Sequence, residues 1–309
     1  MLKYSLKRLL GAIPVLLIVV TMTFVIMKAA PGGPFDKEKK VPAEVMEALN
    51  KRYRLDQPMY IQYLDTLKNV VQGDFGPSFR YAGRTVNQMI LDGLPATTEL
   101  GLYSLLFALL IGVTAGVIAA LKKNTWLDYV PMSLSMIGSC VPTFLMGPVL
   151  VLIFAIYLRW LPVSGWDTMA QKILPSFTLG AAYAAFIARL ARGGMLEILA
   201  QDFIRTARAK GVSESAVILK HALKGGMFPV ISFLGPAIAG LLAGSFVTES
   251  VFQIPGLGRY YVQAAFNRDY TMIMGTTVFL AALTVFFNCI SDIVTIWLNP
   301  RLGFEKGQS

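Results

Sequence analysis

The sequence has few of the residues from which catalytic and metal sites are usually built. Its 309 residues include two cysteines and one histidine, and only 15% are charged, whereas an average soluble domain has about 25%. Cys140 and Cys289 lie far apart in apolar runs. A disulfide framework, a zinc cluster and a Cys/His nucleophile pair therefore lack the residues they need. Low charge together with 55% hydrophobic residues excludes an ordinary soluble enzyme.

The sequence also lacks nucleotide-binding motifs. No Gly-x-x-x-x-Gly-Lys-Ser/Thr loop occurs to cradle a triphosphate with its magnesium. The pair Gly256 and Gly258 begins a dinucleotide-like pattern, but Tyr261 stands at the third glycine position and no βαβ pattern surrounds it. An intramembrane enzyme would need paired acids or a histidine with a partner, and the single His221 does not provide these. We expect no catalytic residue, no metal site and no cofactor in this chain.

Six charge-free apolar runs predict an all-α integral membrane protein with six transmembrane helices, because about 20 helical residues cross a hydrocarbon core. The runs are Leu9–Met27, Leu100–Leu121, Tyr129–Leu158, Ile173–Ala188, Gly225–Thr248 and Tyr270–Ser291. The first exceeds the core of about 7–15 residues in a secretory signal, so we expect an uncleaved span. The third is too long to span upright, and Pro131, Pro142 and Pro148 predict tilt or kinks. The fourth is short, and we expect it to continue past Arg189.

The basic residues are distributed unevenly between the two sides. The chain has 28 Lys and Arg against 18 Asp and Glu. Most of the excess lies before the first run, in the short loop at Lys122 and Lys123, and in the segment from Arg189 to Lys224. The positive-inside rule makes this side cytoplasmic, with both termini inside. The positive charge therefore indicates topology in a lipid bilayer, and we expect no nucleic-acid partner.

The segment 31–95 is the main change in composition along the chain. It predicts two amphipathic helices, near Pro42–Tyr53 and Pro58–Val71, followed by a glycine-rich stretch at Gly73–Pro77. Thr85 with Gln88 three residues later matches the capping box that starts a helix. We interpret the segment as a small extracytoplasmic cap. The predicted domain boundaries are 1–30, 31–95, 96–298 and 299–309, with spans near 97–121, 129–158, 173–192, 227–248 and 270–298.

The remaining inside segment, 193–226, is too polar to enter lipid. Its apolar residues recur with the helical period, opposite charged and amide residues; they are Leu196, Leu199, Ala200, Phe203 and Ala207. Gly211 after Lys210 matches a helix stop in the left-handed conformation. Ser213 can cap a second helix that runs to about Leu223. The pattern predicts a basic helix-turn-helix on the cytoplasmic face.

This segment resembles the coupling segment of type I ABC import permeases in their peptide-transporting form. The stretches that carry the resemblance are Phe203–Gly211, His221–Lys224, Arg8–Pro14, Gly73–Phe79, Glu249–Gly258, Asn267–Tyr270 and Asn299–Arg301. They extend over nearly the whole chain and are most similar to the B-type permease subunits of oligopeptide transporters. The usual family segment reads Glu-Ala-Ala, three residues, Gly, nine residues, Ile, one residue, Leu-Pro. Only Ala207, Gly211 and Leu223 match it residue by residue.

The resemblance implies a non-catalytic subunit of an ATP-driven importer in a prokaryotic plasma (inner) membrane, forming half of a pathway for oligopeptides. It implies a second similar permease, two cytoplasmic ATPase subunits that bind ATP and magnesium, and an extracytoplasmic peptide-binding protein. The implied ATPase-docking residues are Phe203, Arg205, Thr206, Ala207, Arg208, Lys210, Gly211, His221 and Leu223. A dipeptide or nickel permease is the alternative within the family. A self-contained secondary transporter is the alternative from another class, although such proteins usually show internal repeats.

A few other polar and small residues stand out within the apolar runs. Asp292, with Asn288 one turn earlier, is predicted either to pair structurally near the inner interface or to lie in the pathway. Small residues one turn apart predict close helix packing, within this subunit or against a second permease. These pairs are Gly112 with Gly116 and Gly240 with Gly244.

The acids and bases on the outer side allow a further prediction. We expect Glu249 and Asp269 to form exposed ion pairs with Arg259 and Arg268, with docking of the binding protein as their alternative role. His221 is predicted to be solvated or part of the docking surface; a pH sensor is the alternative, because an unperturbed histidine titrates near pH 6.5.

Overall fold

The computed structural model describes residues 2–30, 54–81 and 83–298, and within these ranges it contains helices and no strand. The predicted helix near Pro42–Tyr53 lies outside them. The helices are α1 (Leu2–Ala29), α2 (Met59–Val71), α3 (Val86–Leu121), α4 (Trp126–Cys140), α5 (Thr143–Leu150), α6 (Met169–Leu199), α7 (Asp202–Ala209), α8 (Glu214–Ala216), α9 (Phe228–Gly244), α10 (Phe246–Val251), α11 (Leu257–Asn267) and α12 (Tyr270–Leu298). A π-helical stretch, Val151–Tyr157, extends α5. Another, Val217–Ala222, extends α8 and is followed by a last turn, Leu223–Gly226.

The lengths of the helices confirm the predicted membrane fold. Among the residues that the structure describes, five stretches are long and apolar enough to cross a membrane: Leu10–Ala29, Val86–Leu121, Met169–Leu199, Phe228–Val251 and Tyr270–Val294. The pair α4 and α5, with its π-helical extension, passes the same test as a unit but bends by 108° at the junction. Counting this pair as one span gives six. The fourth span continues past Arg189, as predicted.

The bend between α4 and α5 is much sharper than a kink, and one of the three prolines causes it. Val141 has φ −82° and ψ 119°, the extended conformation that a following proline favours, and Pro142 is the N-cap residue before α5. Pro131 and Pro148 remain inside α4 and α5. Of the predicted tilt or kinks, the structure therefore shows a sharp bend of 108° before Pro142, between two short helices.

Helices α3 and α6 form the centre of the bundle through small residues. A Cβ added to Gly112 would lie 2.6 Å from the carbonyl oxygen of Ala184. One turn later, a Cβ on Gly116 would collide with the carbonyl oxygen of Ala188. Glycine at both positions lets the two backbones approach closely. This pair of glycines therefore packs inside the chain.

The other small-residue pair lies in α9. A Cβ on Gly240 would collide with the hydroxyl of Tyr183 on α6, so this glycine also faces a helix of the same chain. Gly244 is the last residue of α9.

The segment before α3 is shaped by glycines and short-range hydrogen bonds. Gly73 and Gly76 have φ of +70° and +78°, values that glycine adopts without steric cost. The amide of Gly76 donates to Asp74 Oδ1 at 2.9 Å. At the start of α3 the amide of Gln88 donates to Thr85 Oγ1 at 3.2 Å, and the amide of Thr85 donates to Gln88 Oε1 at 3.1 Å. The predicted capping box is confirmed.

Candidate functional site

The segment 200–226, which we call the hairpin, lies at the end of the bundle where α3 and α6 end. The sequence pattern predicts a single amphipathic helix entering it, and this prediction is wrong, because α6 ends at Leu199 and Gln201, with ψ 150°, starts a new helix. Because a new helix begins after this break, the residues that face the bundle differ from those predicted. Ile204 is fully buried, whereas Phe203, assigned to the apolar face, is 50% exposed.

Apolar burial anchors the hairpin to the bundle. A buried cluster joins α3, α6 and both arms of the hairpin; its members are Ala120, Met195, Ile204, Val217 and Ala222. Ala207 and Leu223 were predicted to dock an ATPase, but they pack against this cluster and therefore face the bundle. Full burial of an aliphatic side chain such as Ile204 contributes about 1.5–3 kcal/mol. The hairpin is therefore held in a fixed position on the ends of two spans.

A glycine and an ion pair shape the turn of the hairpin. Gly211 has φ +77° and no atom within 4 Å of an added Cβ, so backbone conformation rather than space requires glycine there. The guanidinium of Arg208 donates to both oxygens of Glu214, at 3.0 and 2.6 Å. These bonds lower the pKa of the Glu214 carboxyl. Ser213 precedes α8, but its hydroxyl makes no capping bond, so that part of the prediction is wrong.

The other predicted docking residues form an exposed surface. We call this the hairpin surface; its residues are Phe203, Arg205, Thr206, Lys210, Gly211 and His221, together with Leu219, which sequence reasoning missed. Leu219 is 65% exposed. Arg205 pairs with Asp202 of the same helix at 3.5 Å, whereas Arg208 is occupied by Glu214. Apolar side chains beside basic groups suit a groove with an apolar floor and an acidic rim.

A buried ion pair lies beside the hairpin. Nε and Nη2 of Arg192, on α6, donate to Oδ1 and Oδ2 of Asp128 at 2.6 and 2.7 Å. The backbone amide of Asn124 donates to Oδ2 at 3.0 Å. The Asp128 side chain is 2% exposed. The pair ties the start of α4 to α6. In the sequence, the one indication of this ion pair is that Asp128 lies in the first turn of α4.

The prediction that Glu249 forms an exposed ion pair is wrong. Its side chain is fully buried, and Oε1 accepts hydrogen bonds from the hydroxyls of Thr97 at 2.8 Å and Ser245 at 2.6 Å. Oε2 accepts from the amides of Gly258 at 2.7 Å and Arg259 at 3.3 Å. The carboxylate therefore caps the N-terminus of α11, where free amides and the helix dipole favour an anion.

The Gly-Leu-Gly motif, which matches part of a nucleotide fingerprint, makes room for this carboxylate. A Cβ on Gly256 would collide with Oε2 of Glu249, and a Cβ on Gly258 would collide with the backbone of Phe246. The two glycines thus receive an internal anion rather than a phosphate.

Asp269 is likewise buried, contrary to prediction. Its Oδ1 accepts from the amides of Met272 and Phe79, both at 3.2 Å, and Ser78 Oγ donates to Oδ2. The side chain caps the start of α12 and ties the segment before α3 to it. The stretches Gly73–Phe79 and Asn267–Tyr270 are therefore joined in the fold.

Two polar residues of α12, Asp292 and Asn288, were predicted to have a structural role or to lie in the pathway. Asp292 is half-buried, and the amide oxygen of Asn288 is buried without a hydrogen-bond partner. The structural role and the pathway role of Asp292 both remain predictions. Within the described ranges, no group of three His, Cys, Asp or Glu side chains is placed to hold a metal.

Comparison with known sequences supports the family suggested by the motifs. A family profile described as "Binding-protein-dependent transport system inner membrane component" matches residues 112–304, and its N-terminal companion matches residues 1–101. The oligopeptide transport system permease protein OppB of Haemophilus influenzae is 48% identical over 306 residues, covering 98% of this chain and 100% of that protein. OppB of Escherichia coli K12 is 45% identical with the same coverage. The dipeptide transport system permease protein DppB of Bacillus subtilis is 40% identical, covering 99% of each.

Solved structures support the fold. An inward-facing structure of the MetNI methionine ABC transporter matches with a TM-score of 0.59 and 18% identity, over 69% of this chain and 97% of that one. At this identity the match shows the fold alone, and it confirms the predicted type I importer permease architecture. The chain belongs to the family of binding-protein-dependent transport system inner membrane components, the multi-pass permeases of ABC importers.

Proposed function

We propose that this chain forms half of the translocation pathway of an ATP-driven importer of oligopeptides. The observation that carries the proposal is the hairpin, which is anchored by a buried cluster across two spans and presents an exposed apolar and basic surface. Identity of 48% to an oligopeptide permease, against 40% to a dipeptide permease, favours oligopeptides as the substrate.

The hairpin end of the bundle is the cytoplasmic side, with both termini on it, in keeping with the positive-inside rule. Two ATPase subunits dock there. They bind ATP and magnesium and hydrolyse the ATP, because this sequence has no phosphate-binding loop. A second, similar permease completes the pathway. A peptide-binding protein delivers substrate on the opposite side, and this chain itself catalyses no reaction.

The hairpin transmits motion as a rigid body. When the ATPases close, displacement of the hairpin surface moves α3 and α6 with it, because one buried cluster joins the hairpin to Ala120 of α3 and Met195 of α6. The ion pair between Asp128 and Arg192 carries the displacement on to α4. The bundle then changes between inward-facing and outward-facing packings, the kind of transition in which a small local shift is amplified by bistable interfaces.

Replacing Gly211 with valine is expected to uncouple hydrolysis from transport. A β-branched residue in the left-handed conformation costs about 1–2 kcal/mol, which shifts the equilibrium between the docking geometry and other turn conformations about tenfold away from docking. In a reconstituted complex, the number of peptides imported per ATP hydrolysed should fall, by up to about that factor. Gly211→Asn should keep most of the coupling, since asparagine tolerates this conformation.

Gly193→Val is the matched control. Gly193 is an exposed helical residue of α6 with no atom within 4 Å of an added Cβ and without a positive φ. This variant should couple like the wild type. Unchanged coupling in Gly211→Val, or an equal loss in Gly193→Val, would count against docking through the hairpin.

A further inference from the structure

Arg189 is an exposed cation within a membrane-spanning helix. Its guanidinium carbon lies 5.5 Å from the ring centroid of Phe186, one turn earlier on α6. Its Nη1 lies 3.5 Å from Ser139 Oγ of α4. No carboxylate of the described residues pairs with it, whereas Arg192, three residues later, is held by Asp128.

The contact with Ser139 shows which way the Arg189 side chain points. Helices α4 and α6 run in opposite directions, since Asp128 meets Arg192 while Gly138 lies against Ala181. Ser139 is therefore about 16 Å farther from the hairpin end than Asp128, at about 1.5 Å per residue. Helical side chains lean toward the helix N-terminus. The Arg189 guanidinium thus extends along α6 toward the middle of the span.

A cation that extends toward the middle of a span is costly on a lipid-facing surface. Charged groups at membrane depth are costly unless they meet a partner or a water-filled cavity. The surroundings are also partly exposed: Phe186 is 41% exposed, and its ring stacks at 4.5 Å on Phe233 of α9. The shared face of α4, α6 and α9 therefore borders an aqueous passage.

We propose that Arg189, Phe186 and Ser139 form a subsite of the passage that binds a carboxylate of the peptide in transit. The guanidinium offers paired donors that match the two oxygens of a carboxylate. The face of the Phe186 ring supports the cation. The Ser139 hydroxyl donates to the carbonyl oxygen of Met136 at 2.9 Å and accepts from the guanidinium, so it orients the cation. Every linear peptide carries a C-terminal carboxylate, and many carry acidic side chains, so one cation serves substrates of varied sequence.

This inference rests on the proposed function, and the experiment separates the two. The complete complex in proteoliposomes is tested with three peptides of equal length: one with a free C-terminus and no acid, one amidated with a single glutamate, and one amidated without acid. Arg189→Gln should lower the uptake rate of a carboxylate-bearing peptide by about tenfold, because it removes a charge-assisted hydrogen-bond donor to the carboxylate. Uptake of the acid-free amide should change less than twofold. The exposed Lys122 provides the control Lys122→Gln, which should affect none of the three.

The pattern of losses identifies the carboxylate. Loss with the first peptide alone assigns the C-terminus, loss with the second alone assigns acidic side chains, and loss with both assigns any carboxylate. Equal loss for all three, or loss for none, overturns the subsite while wild-type uptake still upholds the proposed function. Failure of ATP-driven uptake by the wild-type complex overturns the function itself.

Thiol labelling tests the subsite without transport. Ser139→Cys, in a chain with Cys140→Ser and Cys289→Ser, should react with charged methanethiosulfonate reagents. The anionic reagent should react faster than the cationic one, and Arg189→Gln should lower that ratio by about tenfold, because one nearby charge is removed. Absence of labelling by both reagents would place the face away from water and overturn the proposal.

Discussion

Replacing Glu249 with alanine is expected to remove most of the folded protein from the membrane. The change leaves the amides of Gly258 and Arg259 without an acceptor inside the bundle, and it removes the acceptor of two buried hydroxyls. Each buried donor left unsatisfied costs about 1–3 kcal/mol. The hydroxyls can rotate to other acceptors, so we expect a total loss of about 2–4 kcal/mol. Protein abundance and the thermal unfolding midpoint in detergent measure it.

Glu249→Gln is the control that separates hydrogen bonding from charge. Its amide oxygen can face the two backbone amides, and its NH₂ group can donate to the hydroxyls of Thr97 and Ser245, which also accept. We expect this variant to stay within about 1 kcal/mol of the wild type. A loss as large as that of the alanine variant would show instead that the negative charge at the N-terminus of α11 matters more than the hydrogen bonds.

Replacing Asp128 with alanine is expected to have the next largest effect. It leaves the Arg192 guanidinium facing a buried site without its partner and releases the start of α4 from α6. Breaking a fully buried pair costs about 3–5 kcal/mol. Because the Arg192 side chain is 30% exposed, we expect about 2–3 kcal/mol, with solvent screening the remainder. Denaturant unfolding of the purified complex gives the value.

A double-mutant cycle isolates the interaction between these two side chains. Arg192→Ala removes the unpaired cation, so the double variant should be more stable than the sum of the two single losses indicates, by about 1–3 kcal/mol. Strict additivity would show that the ion pair does not hold α4 to α6. The hairpin would then transmit its displacement without this connection.

The membrane fold could be predicted from the sequence because its signals are local and strong. A charge-free run near the length of a span has few other uses, and the spans of the structure follow the predicted runs. The capping box at Thr85 depends on two residues three positions apart. Glycine at position 211, directly after a lysine, likewise indicated the turn that the structure contains.

The failed predictions concern features set by distant contacts. Nothing in the sequence marks the break before α7, because glutamine at position 201 is not a favoured helix cap; Ile204 rather than Phe203 became the buried residue as a result. Glu249 was assigned to the surface by its charge. Its burial depends on Thr97, far away along the chain, and on the amides that begin α11. One-dimensional patterns do not contain such pairings.

The same limit explains which parts of the hairpin could be assigned from sequence. The motif assigned nine residues to ATPase docking. The structure shows that two of them, Ala207 and Leu223, face the bundle, whereas Phe203 and its neighbours in the hairpin surface are exposed. Leu219 had no motif signal and was missed. The exposed residues of the hairpin are therefore determined by its packing as well as by its sequence.

The central claim is that this chain transports peptide only when partner ATPases drive it. The most direct measurement places the chain in liposomes with a second permease, two ATPase subunits and a peptide-loaded binding protein, and follows ATP hydrolysis and peptide uptake together. We predict uptake that requires every component and ATP, in a fixed ratio to hydrolysis. Uptake by this chain alone, driven by a proton gradient without ATP, would contradict the claim.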